Sequence, residues 1–462
     1  MCPDPQPHTA LAGIGAGTRL SSTFIAVGAP PVTFSVVTRI AIIGTGYVGL
    51  TTGACFAHLG HEVVCADIDP HKVERLNRGE VPIVEHRLDE LVADGLRNGN
   101  LRFVLGAANA VADCEIAFLC VPTPQGEDGS ADLSYVEAAA TEIAPVLPYE
   151  AIVVNKSTVP VGSTKVVDRV MKRPDVRVVS NPEFLREGSA VDDFLNPDRV
   201  VVGADDRAAA IAVGSLYDKV RAQIIVTDPA SAETIKYAAN AFLATKLSFI
   251  NAIAAICEGV GADVNDVVVG MGYDKRIGTE FLRPGPGWGG SCFPKDSRAL
   301  LKIANEAGYR FDLLAGVITV NEEQLDRVAE KISTAAGAPL EGKTVAVWGL
   351  TFKARTDDLR DSPSIAIVNR LLSTGATIRA YDPTVTDMRP GVPAGITVCS
   401  SPYEAVEEAD VLAVLTEWDE FRWIEPRKVA TAMRARQVVD GRNLLDRNDW
   451  QRAGFIHQGI GR

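Results

Sequence analysis

Residues 39–50 read RIAIIGTGYVGL, an apolar run that passes directly into a glycine-rich segment. The β-branched residues predict a buried strand, and GTGYVG at 44–49 predicts a tight turn that opens a helix. In this pattern Gly44 makes the turn, Gly46 lets a diphosphate approach the backbone, and Gly49 lets the helix pack closely on the strand. The stretch therefore predicts a dinucleotide-binding β-α-β unit. Tyr47 and Val48 lie between these glycines and belong to the same predicted site.

A second strand, HEVVCADIDP at 61–70, ends in acidic residues. Asp67 follows Gly49 by 18 positions, where a carboxylate binds the ribose diol of a dinucleotide. Because such a carboxylate repels a 2′-phosphate, NAD is expected rather than NADP. The nearby cations Lys72 and Arg75 offset part of that repulsion.

The strand and helix pattern recurs later in the chain. KTVAVWGLTFKARTDDLRDSP at 343–363 repeats the strand, glycine turn and helix of the first unit without the GxGxxG spacing, and ATIRAYDP at 376–383 repeats the second strand with its terminal acid. Strands that alternate with helices indicate a doubly wound parallel sheet. Residues 230–262 lack helix breakers and are apolar on more than one face, which is typical of a long helix buried on several sides. The sequence predicts an α/β protein with two Rossmann-like doubly wound domains joined by a long central helix, which we expect to form a dimer surface.

Composition limits the classes of partner. Among 462 residues, Lys and Arg number 46 and Asp and Glu number 59, a net charge of −13 spread along the chain. Without a basic stripe, neither nucleic acid nor an anionic membrane is expected as a partner. The uncharged stretch at 20–38 contains adjacent prolines and many hydroxyl residues, so we do not interpret it as a membrane span.

The eight cysteines are scattered without a CxxC pair, and the histidines form no ligand pair. We expect reduced thiols, a cytoplasmic protein and no metal site.

One cysteine stands in an unusual setting. Residues 285–296, GPGWGGSCFPKD, surround Cys292 with glycines and prolines, which predicts a rigid backbone that approaches a ligand closely. In an NAD-binding protein such a thiol suggests a four-electron oxidation. An aldehyde has no hydroxyl to lose a hydride from, but a thiolate can add to it, and the thiohemiacetal can then be oxidised to a thioester. A buried structural thiol, a redox switch and a binding module without turnover remain the alternatives.

Seven segments together resemble the UDP-glucose/GDP-mannose dehydrogenase family, the nucleotide-sugar 6-dehydrogenases. The resemblance covers residues 38–450, and its motifs are GTGYVG, KSTVPVGS (156–163), NPEFLREGSAVDDFLNPDRVVVG (181–203), KYAANAFLA (236–244), RIG (276–278), FLRPGPGWGGSCFPKD (281–296) and GLTFKARTDDLRDSP (349–363). It implies NAD-dependent oxidation of a sugar nucleotide at C6. UDP-glucose is the expected substrate, with GDP-mannose or a UDP-N-acetylhexosamine as the alternative.

The resemblance also implies catalytic roles. Cys292 would be the nucleophile, and Lys236, with Asn240 one helical turn later, would stabilise the alkoxide and the thiohemiacetal oxyanion. Asp296 would act through water, with Thr123, in removing the proton of the sugar hydroxyl. The ordinary alternative for Lys236 is a solvated helix lysine.

Glu183 follows Asn-Pro at the end of a predicted strand and resembles the base for thioester hydrolysis. A carboxylate at the start of a helix is the alternative interpretation. The resemblance implies further contacts to the cofactor from Lys72, Thr123, Glu187, Lys295 and Arg360. It implies contacts to the substrate from Glu183, Phe184, Leu185, Glu187, Lys236, Asn240, Phe281, Leu282, Arg283, Pro284, Gly285, Gly289, Lys353 and Arg442, and from Arg276 across a dimer interface.

These inferences divide the chain into four parts. We expect a flexible N-terminal extension at 1–37 and an NAD-binding Rossmann domain at 38–228. A central helical domain at 229–335 would carry the cysteine and the dimer surface. A UDP-sugar-binding Rossmann-like domain would occupy 336–462.

Overall fold

The computed structural model describes residues 37–126, 131–386 and 389–462. The predicted extension at 1–37 lies, except for its last residue, outside the described residues. Two sheets with flanking helices form the described chain, and a long helix connects them, which confirms the predicted α/β class.

The first domain is built on an eight-stranded sheet with the order β3-β2-β1-β4-β5-β6-β7-β8. Its strands are β1 (Arg39–Ile43), β2 (Glu62–Asp67), β3 (Leu101–Leu105), β4 (Ile116–Leu119), β5 (Ile152–Asn155), β6 (Arg177–Ser180), β7 (Arg199–Gly203) and β8 (Gln223–Thr227). Its helices are α1 (Tyr47–His58), α2 (Pro70–Asn77), α3 (Leu88–Asn98), α4 (Ala107–Val111), α5 (Ser134–Ile143), α6 (Ser163–Met171), α7 (Ala190–Leu195) and α8 (Arg207–Ser215).

The first sheet is not parallel throughout. Strands β1 to β6 pair in parallel, but β7 meets β6 in the antiparallel sense through Ser180 and Gly203. The connection between them holds only the short α7, so the chain re-enters the sheet from the edge at which β6 ended. That connection, residues 181–198, stays at the carboxyl edge of the parallel strands, where an open α/β sheet binds its ligands.

The central part consists of helices α9 (Pro229–Val260), α10 (Val264–Gly272), α11 (Phe293–Glu306) and α12 (Asp312–Ala336). Asp228 caps α9 by accepting a hydrogen bond from the Ser231 amide, and Gly261 ends it in the left-handed conformation. By length and composition alone α9 could cross a membrane, yet 44% of its apolar window is buried inside the protein. Buried Lys236 and Asn240 lie on it, so we interpret α9 as a core helix that packs on α11 and α12.

The second domain carries a six-stranded parallel sheet with the order β11-β10-β9-β12-β13-β14. Its strands are β9 (Thr344–Trp348), β10 (Thr377–Tyr381), β11 (Ile396–Val398), β12 (Val411–Val414), β13 (Gln437–Asp440) and β14 (Ile456–Gln458). Its helices are α13 (Pro363–Ser373), α14 (Pro402–Ala405), a 3-10 turn at Asp419–Trp423, α15 (Pro426–Ala432) and α16 (Arg447–Arg452). Contrary to expectation, no helix follows directly on the turn after β9. Residues 349–362 form a loop, and α13 begins only at Pro363.

Loops of the two domains meet at glycines. A Cβ on Gly188 would lie 2.7 Å from the Arg355 carbonyl oxygen, and one on Gly290 would lie 2.7 Å from the Phe352 ring. A Cβ on Gly289 would overlap the Asp361 carbonyl oxygen. These contacts hold loops 181–189 and 285–292 against loop 349–362, and they define the cleft in which the site lies.

Candidate active site

The glycine turn after β1 has the geometry of a dinucleotide site. Gly44 has φ +97° and donates its amide to the Ala66 carbonyl at 2.8 Å, while a Cβ on Gly49 would overlap the Gly44 carbonyl. Gly46, in contrast, faces open space, with nothing within 4 Å of an added Cβ. The amides at the start of α1, beginning at Tyr47, can therefore receive a diphosphate. These features fit NAD.

Asp67 lies at the end of β2 beside this turn. It accepts hydrogen bonds from the Thr45 amide at 3.1 Å and from the Lys72 ammonium at 3.0 Å. Burial raises the pKa of Asp67, but the bonds from Thr45 and Lys72 outweigh that effect and lower it below its usual value. The carboxylate is therefore ionised, and with Lys72 it is placed to bind a ribose diol.

The Tyr47 side chain reaches a residue that the sequence analysis missed. Its hydroxyl donates to the buried Glu85 carboxylate, which also accepts from the Gly188 amide at 2.7 Å and the Ala190 amide at 2.9 Å. Burial and this carboxylate raise the pKa of Tyr47. Glu85 thus ties the NAD-binding turn to the loop that bears Glu183 and Glu187. Val48, next to Tyr47, packs against the hydrophobic core of the first domain.

An ion pair lies where α9 crosses the carboxyl edge of the first sheet. The Lys236 ammonium is 2.8 Å from Glu183 Oε1, and both side chains are buried. Burial lowers the pKa of Lys236, yet the charges of Glu183, Cys292 and Asp296 more than offset it and raise the pKa. Burial raises the pKa of Glu183, but Lys236 and the Leu185 amide, 2.6 Å from Oε2, bring it below its usual value. Both groups are therefore charged, and neither alternative raised from the sequence, a solvated lysine or a helix-start carboxylate, matches this geometry.

A second buried cluster adjoins the first. Asn240 donates to Asp296 Oδ2 at 2.6 Å, and the Lys295 ammonium is 2.9 Å from Oδ1 of the same carboxylate. Lys236 and Asn240 share one face of α9, but their side chains serve different carboxylates. The Asp296 amide donates to the Cys292 carbonyl at 2.9 Å, which links this cluster to the cysteine.

Cys292 is the residue immediately before α11, so its thiol lies at a helix N-terminus. Burial raises the pKa of Cys292 to about 11, while the nearby Lys236 charge lowers it. The Ser291 hydroxyl is 3.6 Å from the sulfur. The other cysteines among the described residues are buried in the protein, whereas Cys292 is half-buried. The helix N-terminus and the Lys236 charge favour the thiolate, but burial outweighs them and keeps the pKa of the thiol above its usual value.

Glu187 connects both domains to the cysteine loop. It accepts hydrogen bonds from Ser291 at 3.0 Å, from Thr356 at 3.3 Å and from Arg360 at 3.4 Å. Burial and the neighbouring Asp358 raise the pKa of Glu187 to about 7, against the lowering effect of Arg360.

The remaining substrate candidates lie on several elements. The Gly285 amide donates to Asn251 at 2.8 Å, and a Cβ on Gly285 would lie 3.3 Å from the Arg442 guanidinium. Arg442 donates to the Leu415 and Phe352 carbonyl groups at 2.8 and 3.0 Å. Other members of the set are Phe184, whose ring is 5.5 Å from the Lys236 ammonium, Phe281 with φ 63°, buried Leu282, exposed Arg283, half-buried Pro284, and Lys353, whose pKa burial lowers.

Two predicted residues, Thr123 and Arg276, make their hydrogen bonds to groups outside the Lys236 and Asp296 clusters. The Thr123 hydroxyl donates to the Thr158 carbonyl at 2.9 Å. Arg276 has 89% of its side chain exposed and pairs with Asp274 of its own turn. Among the described residues no group of three or more His, Cys, Asp or Glu side chains could hold a metal ion.

Sequence reasoning missed Glu85, Ser291 and Thr356, and it also missed buried Lys156. Ser291, Thr356 and Lys156 lie within motifs that carried the resemblance, so a search for polar residues inside those motifs could have found them. Glu85 lies in no motif, and only the folded chain places it against Tyr47.

The matches with known proteins agree with this geometry. Profiles of the UDP-glucose/GDP-mannose dehydrogenase family match the chain in three successive parts: the NAD binding domain at residues 38–221, the central domain at 230–323 and the UDP binding domain at 346–447. The chain is 45% identical over 434 residues to a UDP-glucose 6-dehydrogenase of Rhizobium meliloti (strain 1021), covering 92% of this chain and 99% of that protein. It is also 45% identical over 430 residues to the UDP-glucose 6-dehydrogenase TuaD of Bacillus subtilis (strain 168), covering 92% of this chain and 93% of that protein.

Solved structures show the same architecture. A UDP-glucose dehydrogenase of Pyrobaculum islandicum superposes with a TM-score of 0.87 at 36% identity, covering 94% of this chain and all of that one (100%). A UDP-D-ManNAc dehydrogenase of Pyrococcus horikoshii superposes with a TM-score of 0.81 at 29% identity, covering 92% of this chain and 99% of that one. With its NAD-type turn, its buried cysteine site and these matches, the chain is an NAD-dependent dehydrogenase and belongs to the UDP-glucose/GDP-mannose dehydrogenase family.

Proposed function

We propose that this dehydrogenase oxidises UDP-glucose at C6 to UDP-glucuronate, in two successive oxidations with a thioester on Cys292 between them. One observation carries the proposal. A half-buried thiol at a helix start lies within the electrostatic reach of Lys236, which itself contacts Glu183 at 2.8 Å. A single oxidation of an alcohol needs no such thiol, whereas oxidation beyond the aldehyde does.

The first oxidation uses the Asp296 cluster. Asp296 would accept the proton of the C6 hydroxyl through a water, with Thr123 helping to hold that water. Lys236 and Asn240 would stabilise the alkoxide. NAD, when bound, would accept a hydride from C6 in this step, and a second NAD molecule would accept another hydride in the next.

The second oxidation uses the thiol. The Cys292 thiolate would add to the aldehyde carbon, forming a C–S bond and an oxyanion that Lys236 stabilises. Loss of the second hydride from C6 would convert this thiohemiacetal to a thioester.

Hydrolysis uses Glu183. It would take a proton from water while the water oxygen bonds to the acyl carbon, and the C–S bond would break to return the Cys292 thiolate. Each sugar would thus yield two NADH and one carboxylate.

Substrate choice within the family rests on the relatives. The named relatives at 45% identity are UDP-glucose 6-dehydrogenases, and the UDP binding domain profile matches residues 346–447. The uridine diphosphate would lie against Phe281–Gly285 with Lys353 and Arg442, because cations on loops suit a diphosphate.

The deciding experiment is an assay of the purified protein with NAD and a panel of sugar nucleotides: UDP-glucose, GDP-mannose and UDP-N-acetylhexosamines. We expect two NADH per UDP-glucose consumed and little turnover of the others. Activity on GDP-mannose alone would contradict the choice of sugar, and one NADH per sugar would contradict the thioester route.

We also propose a homodimer through α9. Phe242, Phe249 and Ile256 recur every seven residues and are 65%, 48% and 58% exposed, so they form one apolar stripe along the helix. Such a stripe needs a partner, and a second copy would also bring its exposed Arg276 toward a site. Phe249→Glu should produce a monomer in analytical ultracentrifugation, whereas Ile211→Glu, at a similarly exposed position on α8, should leave the dimer intact. A wild-type monomer would refute the proposal.

A further inference from the structure

Lys156 is a buried cation that the reaction described above does not use. It directly follows β5, is 4% exposed, and donates hydrogen bonds to Asn181 Oδ1 at 3.0 Å and to the Tyr217 hydroxyl at 3.2 Å. Within the described part of the chain no carboxylate forms a salt bridge with it at contact distance. Burying an ammonium in this way is costly, so the position demands a reason.

The hydrogen bonds of Lys156 lead to the loop that bears Glu183. Asn181 lies two residues before Glu183, and it is held on both sides: its amide donates to the Asn155 carbonyl at 2.9 Å and its side chain donates to the Val201 carbonyl at 2.8 Å. The Tyr217 hydroxyl donates to the same Asn181 oxygen at 2.8 Å. Lys156 therefore anchors the segment from which the proposed base projects.

The charge of Lys156 also acts on Glu183. Burial lowers the pKa of Lys156 to about 8, while the Glu183 carboxylate and Cys120 raise it and the second ammonium, Lys236, lowers it. In return, the charge of Lys156 lowers the pKa of Glu183, in addition to the larger effect of Lys236. Two buried cations thus face one carboxylate, and only Lys236 is in contact with it.

We propose that Lys156 is a positioning residue for thioester hydrolysis, holding Glu183 ionised and in place when Lys236 turns to the oxyanion of the substrate. This inference rests on the proposed function. During each oxidation Lys236 stabilises negative charge on the sugar oxygen, and its support of Glu183 weakens. Lys156 is buried and donates its hydrogen bonds to Asn181 and Tyr217, so its support of Glu183 persists while Lys236 serves the substrate.

The test compares neutral replacements of Lys156 with a variant that disturbs its hydrogen bonds alone. Lys156→Met and Lys156→Gln remove the positive charge. Tyr217→Phe removes one hydrogen-bond partner of Lys156 but keeps the Lys156 charge. Three quantities would be measured: the rate of the first NADH-forming phase by stopped flow, the steady-state turnover number, and the fraction of enzyme that bears the acyl group. The last would be determined by intact-protein mass spectrometry after rapid quench.

In the two neutral variants we expect the first phase to stay within about threefold of wild type, while turnover falls about tenfold or more and the thioester accumulates. Tyr217→Phe keeps the Lys156 charge and its hydrogen bond to Asn181, so turnover should fall much less than in the neutral variants and the thioester should not accumulate. Equal loss in both phases, absence of the adduct, or the same defect in Tyr217→Phe would overturn the proposal.

The wild-type protein offers a check that needs no variant. Because the pKa of Lys156 lies at about 8, its charge is present below that pH and is lost above it. Hydrolysis of the thioester should therefore slow as the pH rises through about 8, and this decline should be absent in Lys156→Met. An unchanged or rising rate of hydrolysis through this range would refute the inference.

If wild type forms only one NADH per sugar, the proposed function fails first and the inference falls with it. Two NADH per sugar with normal acyl levels in the Lys156 variants would refute the inference alone.

Discussion

The two sheets of this protein begin with the same turn but leave different surfaces open. After β1, Gly44 turns the chain at φ +97° and α1 starts at Tyr47. After β9, Gly349 turns it at φ +93°, but α13 starts only at Pro363. The first turn therefore presents a helix N-terminus to a ligand, and the second presents a loop.

The acids that end the second strands differ in the same way. Asp67 is partly exposed, with 12% of its side chain accessible. Asp382 is buried and accepts from the Leu350 amide at 2.8 Å, the Thr351 amide at 3.1 Å and the Trp418 indole at 3.1 Å. Asp67 is accessible to a ribose hydroxyl, whereas the hydrogen-bonding capacity of Asp382 is occupied by groups that include the amides of loop 349–362. Shared topology thus does not imply shared ligand binding, because the ligand needs the groups that the fold leaves unpaired.

The largest effect expected from this comparison lies where the loops of the two domains meet. Cys292→Ala should lower production of the acid by about three orders of magnitude or more, since the other described cysteines are buried elsewhere in the protein and a hydroxyl is a much weaker nucleophile than a thiolate. The product should be assayed by mass, with the aldehyde measured separately by trapping with a hydrazine. Cys257→Ala, at a buried cysteine of α9, is the control and should remain active. Unimpaired formation of the acid by Cys292→Ala would remove the thioester from the mechanism.

A pair of glycine variants sharpens the contrast between the turns. Gly46 has φ −68° and open space at its Cβ, so Gly46→Ala should fold normally while raising the KM for NAD by about tenfold. Gly349→Ala meets both a positive φ and the Thr416 side chain, which an added Cβ would approach to within about 2.3 Å, so it should cost roughly 2 to 4 kcal/mol of unfolding free energy. Thermal unfolding and NAD kinetics of both variants check this. A stable Gly349→Ala, or a Gly46→Ala with unchanged KM, would contradict the distinction.

Features carried by local patterns were predictable from the sequence. The strand and glycine turn of the first domain, Asp67 at the end of β2 and the long helix α9 all follow from short-range spacing, and the structure confirms them. The NAD prediction is confirmed by the family profile at residues 38–221. The cradle around Cys292 was visible because glycine and proline impose backbone geometry by themselves.

Features that depend on distant contacts were not predictable. Glu85 lies 38 positions from Tyr47 and takes its role only when loop 181–189 folds against it. The antiparallel direction of β7 depends on a connection that holds no long helix. In the second domain, the pattern around Gly349 predicted an immediate helix, whereas the bonds from loop 349–362 to Asp382 hold that segment as a loop. Burial made Lys156 significant, and no spacing rule reports burial of a lysine.

The smallest expected effect concerns the contact between the domains. Glu187 lies in the first domain and accepts bonds from Thr356 and Arg360 of the second, and burial raises its pKa to about 7. The folded protein therefore binds this proton more tightly than the unfolded chain does. Glu187 consequently increases the free energy of unfolding as the pH falls from about 7 toward the usual carboxyl range, whereas above about 7 its contribution no longer changes with pH. Thermal unfolding between about pH 5 and pH 8 should show a steeper loss of stability with rising pH in wild type than in Glu187→Gln, while Glu280→Gln, at an exposed position, should follow wild type. Parallel curves for wild type and Glu187→Gln would mean that the carboxylate stays ionised between the domains, and the contact would then have to be held by the Arg360 charge.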